Sequence, residues 1–106
     1  MEIRVLEELV EFNPEKMKKI PVFDSEHMFY DLYALLPGQM QKVHAHEESD
    51  KVYLVLAGEA RVQVGEEQAT LTTGQAVRAP AGAPHGVWNA SEQPVVLLVV
   101  MAPKPA

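Results

Sequence analysis

Cysteine is absent from all 106 residues. No disulfide can staple the fold, and thiolate metal sites and thiol catalysis are excluded. Long apolar runs are missing as well. Met1-Glu2-Ile3-Arg4 lacks the apolar stretch of a signal peptide, and nothing later in the chain approaches the ~20 apolar residues of a membrane span. A cytoplasmic location is the resulting expectation. Basic residues are scarce, nine Lys and Arg against fifteen Asp and Glu, for a net charge of −6. With no basic stripe, neither nucleic acid nor an anionic membrane is an expected partner. Internal repeats, low-complexity tracts and linkers are also lacking. One domain spanning residues 1–106 is expected, large enough for a single core. Apolar residues at 47% and charged residues at 23% are ordinary for a globular chain.

What is present is a series of short apolar segments punctuated by Gly and Pro. Ile3 to Phe12 reads as a short strand, although Leu6, Leu9 and Val10 also fit a helix face. Asn13-Pro14-Glu15 carries a helix-start signal and predicts one turn through Lys18 or Lys19, ended by Pro21. Strands are then expected at Met28–Leu36, Gln41–His46, Val52–Leu56, Gln75–Arg78 and His85–Asn89. Ala60–Val64 and Gln68–Thr72 form a hairpin around Gly65-Glu66-Glu67. Val95–Met101 is apolar on both faces and predicts a strand covered on two sides, after which Pro103–Ala106 is expected to fray. Many short strands and almost no helix predict an all-β sandwich or barrel.

Two histidines stand two apart at His44-Ala45-His46. In an extended strand the side-chain period is 2, so both rings share a face. Neutral imidazole is the commonest protein ligand for transition metals. A third histidine, His85, follows the Gly- and Pro-rich stretch Pro80–Pro84.

Together these segments resemble the two motifs of the cupin superfamily. Gly38, His44, His46 and Gly58 match G-x5-H-x-H-x3,4-E-x6-G, and Gly74, Pro80, Gly82, His85 and Asn89 match G-x5-P-x-G-x2-H-x3-N. The motifs occupy residues 38–58 and 74–89, and the 15 residues between them resemble the small single-domain bacterial type. The resemblance implies a cupin double-stranded β-helix, a small jelly-roll β-barrel, with at most a short N-terminal helical turn. It implies that His44, His46 and His85 hold one divalent transition metal, such as Zn, Fe, Mn, Ni or Cu, with coordination positions left open. It also implies an enzyme acting on a small oxygenated metabolite, of the isomerase, epimerase or oxygenase kind; some small cupins serve polyketide or antibiotic synthesis. The alternative it allows is a non-catalytic module that binds a sugar or an anionic metabolite. Cupins are commonly dimeric, so a homodimer is expected, with Val95–Met101 and the N-terminal strand suited to the contact.

One motif position departs from the pattern. The family supplies a fourth ligand, a glutamate, where counting back from Gly58 gives Lys51, which offers no lone pair while protonated. Counting forward from His46 gives Asp50 instead, which a bulge would be needed to turn inward. Tyr53 and Val55 share parity with Lys51, which makes Lys51 and Tyr53 candidate pocket residues. Met40 and Lys42 share parity with His44, making Met40 a candidate pocket wall. Asn89 is expected to satisfy backbone groups in the next turn. Trp88 is expected to pack under the N-terminal strand or at a dimer contact, and His27 to be solvated. Gly38, Gly58, Gly74 and Gly82 are expected at turns with positive φ.

Overall fold

The computed structural model describes residues 1–105. Its elements are helix α1 (Leu6–Leu9) and nine strands: β1 (Lys18–Phe23), β2 (Phe29–Leu35), β3 (Met40–His44), β4 (Asp50–Ala57), β5 (Glu59–Val64), β6 (Glu67–Thr72), β7 (Ala76–Ala79), β8 (His85–Trp88) and β9 (Val95–Ala102). They form two antiparallel sheets, β1-β2-β9-β4-β7 and β3-β8-β5-β6. This is the all-β double-stranded β-helix that the two motifs imply. Among the described residues, no helix is long and apolar enough to cross a membrane.

The alternation of side chains builds the core. Tyr33, Leu35, Tyr53, Val55, Val95, Leu97 and Val99 from the first sheet meet Ala60, Val62, Leu71 and Val87 from the second. Burying such side chains contributes roughly 1.5–3 kcal/mol each before the entropy of ordering is set against it. The opposite face of the first sheet presents Val22, Leu32, Val96 and Leu98.

That second apolar face corrects the reading of the N-terminus. Leu6, Leu9, Val10 and Phe12 pack onto it, and α1 is a single helical turn rather than a strand. The i, i+3, i+4 spacing supplies an apolar stripe, and a sheet face to cover decides in favour of helix. The helical turn expected after Asn13 is not formed. The Asn13 side-chain oxygen accepts from Glu15 N at 2.8 Å, a local turn that competes with the helix. Pro21 does not end an element but lies inside β1, where the register slips between Pro21 and Phe23. An edge strand with a bulge tolerates a residue that cannot donate to the ladder.

Two further expectations are revised. Val95–Met101 is covered on both faces as expected, but β9 lies at the centre of its sheet, bonded to β2 and β4, and offers no free edge for a dimer contact. The C-terminal tail is tethered as far as Lys104. Ser49 Oγ donates to Pro103 O at 2.6 Å and Lys104 N to His27 O at 3.1 Å, while Ala106 lies outside the described residues. His27 is exposed as expected.

The motif glycines Gly38, Gly58, Gly74 and Gly82 all take positive φ, between 80° and 87°. At Gly58 the need is also steric, because a Cβ would stand 2.5 Å from Pro94 O. Asn89 is buried in the role expected of it. Its Nδ2 donates to Leu35 O at 3.0 Å and Gln93 O at 2.7 Å, and its Oδ1 accepts from Ser91 N at 2.9 Å. Trp88 pairs with Met40 and Arg61 across the second sheet.

Candidate metal centre

Strands β3 and β8 bring the three histidines together. His44 pairs directly with His85, and His46 follows two residues on, just beyond the end of β3. The ring centroids are 4.5 Å apart for His44 and His85, 4.9 Å for His44 and His46, and 5.5 Å for His46 and His85. One nitrogen from each ring lies within 4.8 Å of the others, a spacing that could hold one ion.

The backbone orients two of these rings. His85 Nδ1 lies 3.0 Å from Ala83 O and His44 Nδ1 2.8 Å from Lys42 O. A carbonyl only accepts, so each Nδ1 carries a proton, and in the neutral ring the lone pair is then on Nε2. Fixing the second nitrogen in this way is how proteins hold histidine ligands. The loop before His85 is itself anchored. Gly82 N donates to His46 O at 2.8 Å, and Ala83 N to Pro80 O at 3.0 Å. His85 Nε2 is buried with no hydrogen-bond partner among the described residues. An orphaned lone pair of this kind is unfavourable unless something occupies it. Burial drives the His85 pKa down to about 4, with the charges of Lys51, His44 and His46 acting in the same direction and the Ala83 hydrogen bond opposing. His46 is also lowered, first by burial and then by His44, Lys51 and Lys19. At neutral pH His85 therefore presents the uncharged, ligating form. The three-histidine set fits a divalent transition metal on geometry, tautomer and charge.

Facing the histidines is a cavity of about 450 Å³ lined by both sheets. The register of the first sheet stacks its walls in rows. Phe29 pairs with Met101 and Met101 with Lys51, while Asp31 pairs with Val99 and Val99 with Tyr53. Of the two residues at the departed motif position, Lys51 points inward. It is 1% exposed and lines the cavity. Asp50 faces out, its carboxylate accepting from Ala81 N at 2.8 Å and lying 3.5 Å from Arg78. Lys51 Nζ donates to Gln41 Oε1 at 3.1 Å and lies 5.4 Å and 5.3 Å from the ring centroids of Tyr33 and Tyr53. Burial lowers its pKa to about 8, helped by Lys19 and opposed by Asp31. Tyr53 does not line the cavity; it is fully buried in the core, and its hydroxyl donates to Gln41 Oε1 at 3.1 Å.

Met40 does not line this cavity; it is half exposed and borders a separate groove with Met17. The cause is a bulge in β3. Gln41 pairs with Val87 and His44 with His85, so three residues on β3 span two on β8. An extra residue reverses the side-chain parity. Gln41 therefore shares the inner face with His44, and Met40 and Lys42 turn outward. Strict alternation could not reveal Gln41. It is the hub of the polar cluster, donating from Nε2 to Tyr33 Oη at 3.0 Å while accepting from Lys51 and Tyr53. Burial raises the Tyr33 pKa to about 12 and moves that of Tyr53 upward. Asp31, Lys19 and Phe29 also line the cavity and were not singled out from sequence. Asp31 had a legible signal, a lone carboxylate in an apolar strand at the parity of Tyr33. Burial raises its pKa, against the lowering charges of Lys19, Lys51 and Lys104.

A two-sheet β scaffold with three converging imidazoles beside a small cavity defines a metal-capable β fold. A family model described as a cupin domain matches residues 31–101. An uncharacterized protein of Streptomyces coelicolor is 39% identical over 80 residues, covering 74% of this chain and 73% of its own. A crystal structure from Thermus thermophilus superposes with a TM-score of 0.97 at 67% identity, covering 99% of this chain and 100% of that one. An RmlC-like cupin protein from Desulfovibrio desulfuricans superposes with a TM-score of 0.84 at 28% identity, covering 97% of each chain. The chain belongs to the cupin family.

Proposed function

We propose that this protein is a metal-binding small-molecule cupin, an enzyme acting on a small oxygenated metabolite by isomerase, epimerase or oxygenase chemistry. The observation that carries this reading is His85 Nε2, buried, uncharged at neutral pH and without a partner among the described residues, one of three nitrogens that could share an ion. His44, His46 and His85 would hold a divalent transition ion, which when bound supplies Lewis-acid polarisation of a substrate oxygen. The chain's own groups supply the rest. Gln41, Tyr33 and Tyr53 form a hydrogen-bonded floor that fixes Lys51. Among the described residues Asp31 is the carboxylate that lines the cavity, placed to take and return a proton, and burial raises its pKa. Phe29, Val99 and Met101 exclude water from one wall. The test is elemental analysis of protein purified without added metal or chelator. About one equivalent of transition metal is expected, lost in His85→Ala; protein that takes up no such metal under any loading condition overturns the reading.

One observation favours a second reading, a binding module without chemistry. Lys51 stands where the motif has an anionic ligand, and its charge weakens the site's hold on a cation. If His44→Ala abolishes metal uptake and leaves ligand affinity unchanged, this reading gains. A homodimer is part of either reading. Met1, Ile3, Val5, Met40 and Val43 are exposed apolar side chains that a second copy would cover.

A further inference from the structure

We propose that the ligand of this cavity is a small organic monocarboxylate, selected by Lys51. The inference rests on the reading above for the location of the site and adds the chemical class of what enters it. Lys51 Nζ is a buried ammonium whose one hydrogen bond, among the described residues, goes to Gln41 Oε1 at 3.1 Å. That acceptor is shared with the Tyr53 hydroxyl, also at 3.1 Å. Two of the three ammonium donors are left without an acceptor. The ion pairs of the described residues join Arg4 to Glu2, Lys18 to Glu11 and Arg78 to Asp50, so none neutralises Lys51. Asp31 acts on this charge only from beyond ion-pair distance, a buried charge so weakly compensated is unfavourable, and an anion entering the cavity would relieve it.

The other groups narrow the anion. In the metal-free protein the lysine and aspartate side chains of the cavity, Lys19 and Lys51 against Asp31, sum to one formal positive charge, two minus one. That balance matches a monoanion, and the Asp31 carboxylate disfavours a dianion such as a phosphate ester. Phe29, Val99 and Met101 offer an apolar wall for a hydrocarbon stem. A volume of about 450 Å³ limits the ligand to roughly drug size or smaller.

The test is calorimetric titration of the full chain, as purified and after chelator treatment, with pyruvate, isovalerate, isovaleramide and inorganic phosphate. Wild type is expected to bind at least one carboxylate ten-fold or more tightly than the uncharged amide. Lys51→Met and Lys51→Gln are expected to lose that preference by ten-fold or more. Equal affinity for isovalerate and isovaleramide, no carboxylate binding, preference for phosphate, or undiminished carboxylate binding in both variants would each overturn the proposal. The wild-type comparison of acid and amide needs no variant to fold. If carboxylate binding persists and depends on Lys51 in metal-free protein, the inference stands without the metal. If metal binds but acid and amide are not distinguished, the inference falls and the metal reading survives.

Discussion

Replacing Lys51 by Met should stabilise the protein at neutral pH while removing a functional group. The folded chain holds Lys51 at a pKa of about 8, against 10.5 when solvated. Each unit corresponds to about 1.4 kcal/mol, so the charged form is disfavoured in the fold by up to roughly 3 kcal/mol. Met fills a similar volume, keeps contact with the rings of Tyr33 and Tyr53, and leaves Gln41 Oε1 its bond from Tyr53. Allowing for the lost Gln41 hydrogen bond, the net gain at pH 7 is about 1–3 kcal/mol, with each kcal/mol moving Tm by about 4–8 °C in a domain of this size. The pH dependence is the sharper test. The lysine pKa is lower folded than unfolded, so between about pH 8 and 10.5 the unfolded wild type holds the extra proton. Raising the pH through that window strips it and stabilises wild type relative to Lys51→Met by up to about 1.4 kcal/mol per unit. Urea unfolding of both proteins from pH 7 to 10.5 measures the difference. A variant less stable than wild type at pH 7, by an amount that does not change with pH, would refute the account of Lys51 as a buried, uncompensated charge.

Other predictions concern the scaffold and the ligands. In metal-free protein His85 titrates near 4 folded, against 6.5 unfolded. It therefore contributes stability present above pH 6.5 and lost as pH falls towards 4, up to roughly 3 kcal/mol, and His85→Gln should lack this component in urea titrations. Asn89→Ala strips Leu35 O and Gln93 O of a donor and should lower unfolding free energy by about 2–4 kcal/mol. Gly58→Ala forces a side chain into a positive φ and against Pro94 O, and should cost about 2 kcal/mol or more in thermal or urea unfolding. Light scattering at working concentration is expected to report a homodimer, and a monomer there would contradict that proposal.

The histidine triad was legible because its ligands sit at short, fixed spacings. His44 and His46 share parity across one intervening residue, and Gly82 and Pro80 mark the turn that delivers His85. Asn89 was legible for the same local reason, since the turn it serves follows within four residues. Strand positions followed from apolar segments bounded by Gly and Pro. Where inference failed, the deciding partner was distant in sequence. The first residues form a helical turn because the outer sheet face needs cover, and that face exists only once β1, β2, β4 and β9 have paired. Pro21 could stay within a strand only because that strand became an edge.

The cavity shows the same division. That His44 shares a face with His46, and Lys51 with Tyr53, follows from alternation within their own segments, which the order of residues alone determines. The exchange of Met40 for Gln41 depends on a bulge formed where β3 meets β8, a strand far later in the chain. Gly86 lies at that crossing, where a Cβ would come within 3.1 Å of Gln41 O and press on the β3 backbone. The inward turn of Lys51 rather than Asp50 was likewise settled by tertiary pairing, with Ala81 and Arg78 holding Asp50 outside. Local pattern determines which residues can share a face. Only the closed pair of sheets decides which face becomes the interior, because burial and hydrogen-bond satisfaction are properties of the whole fold.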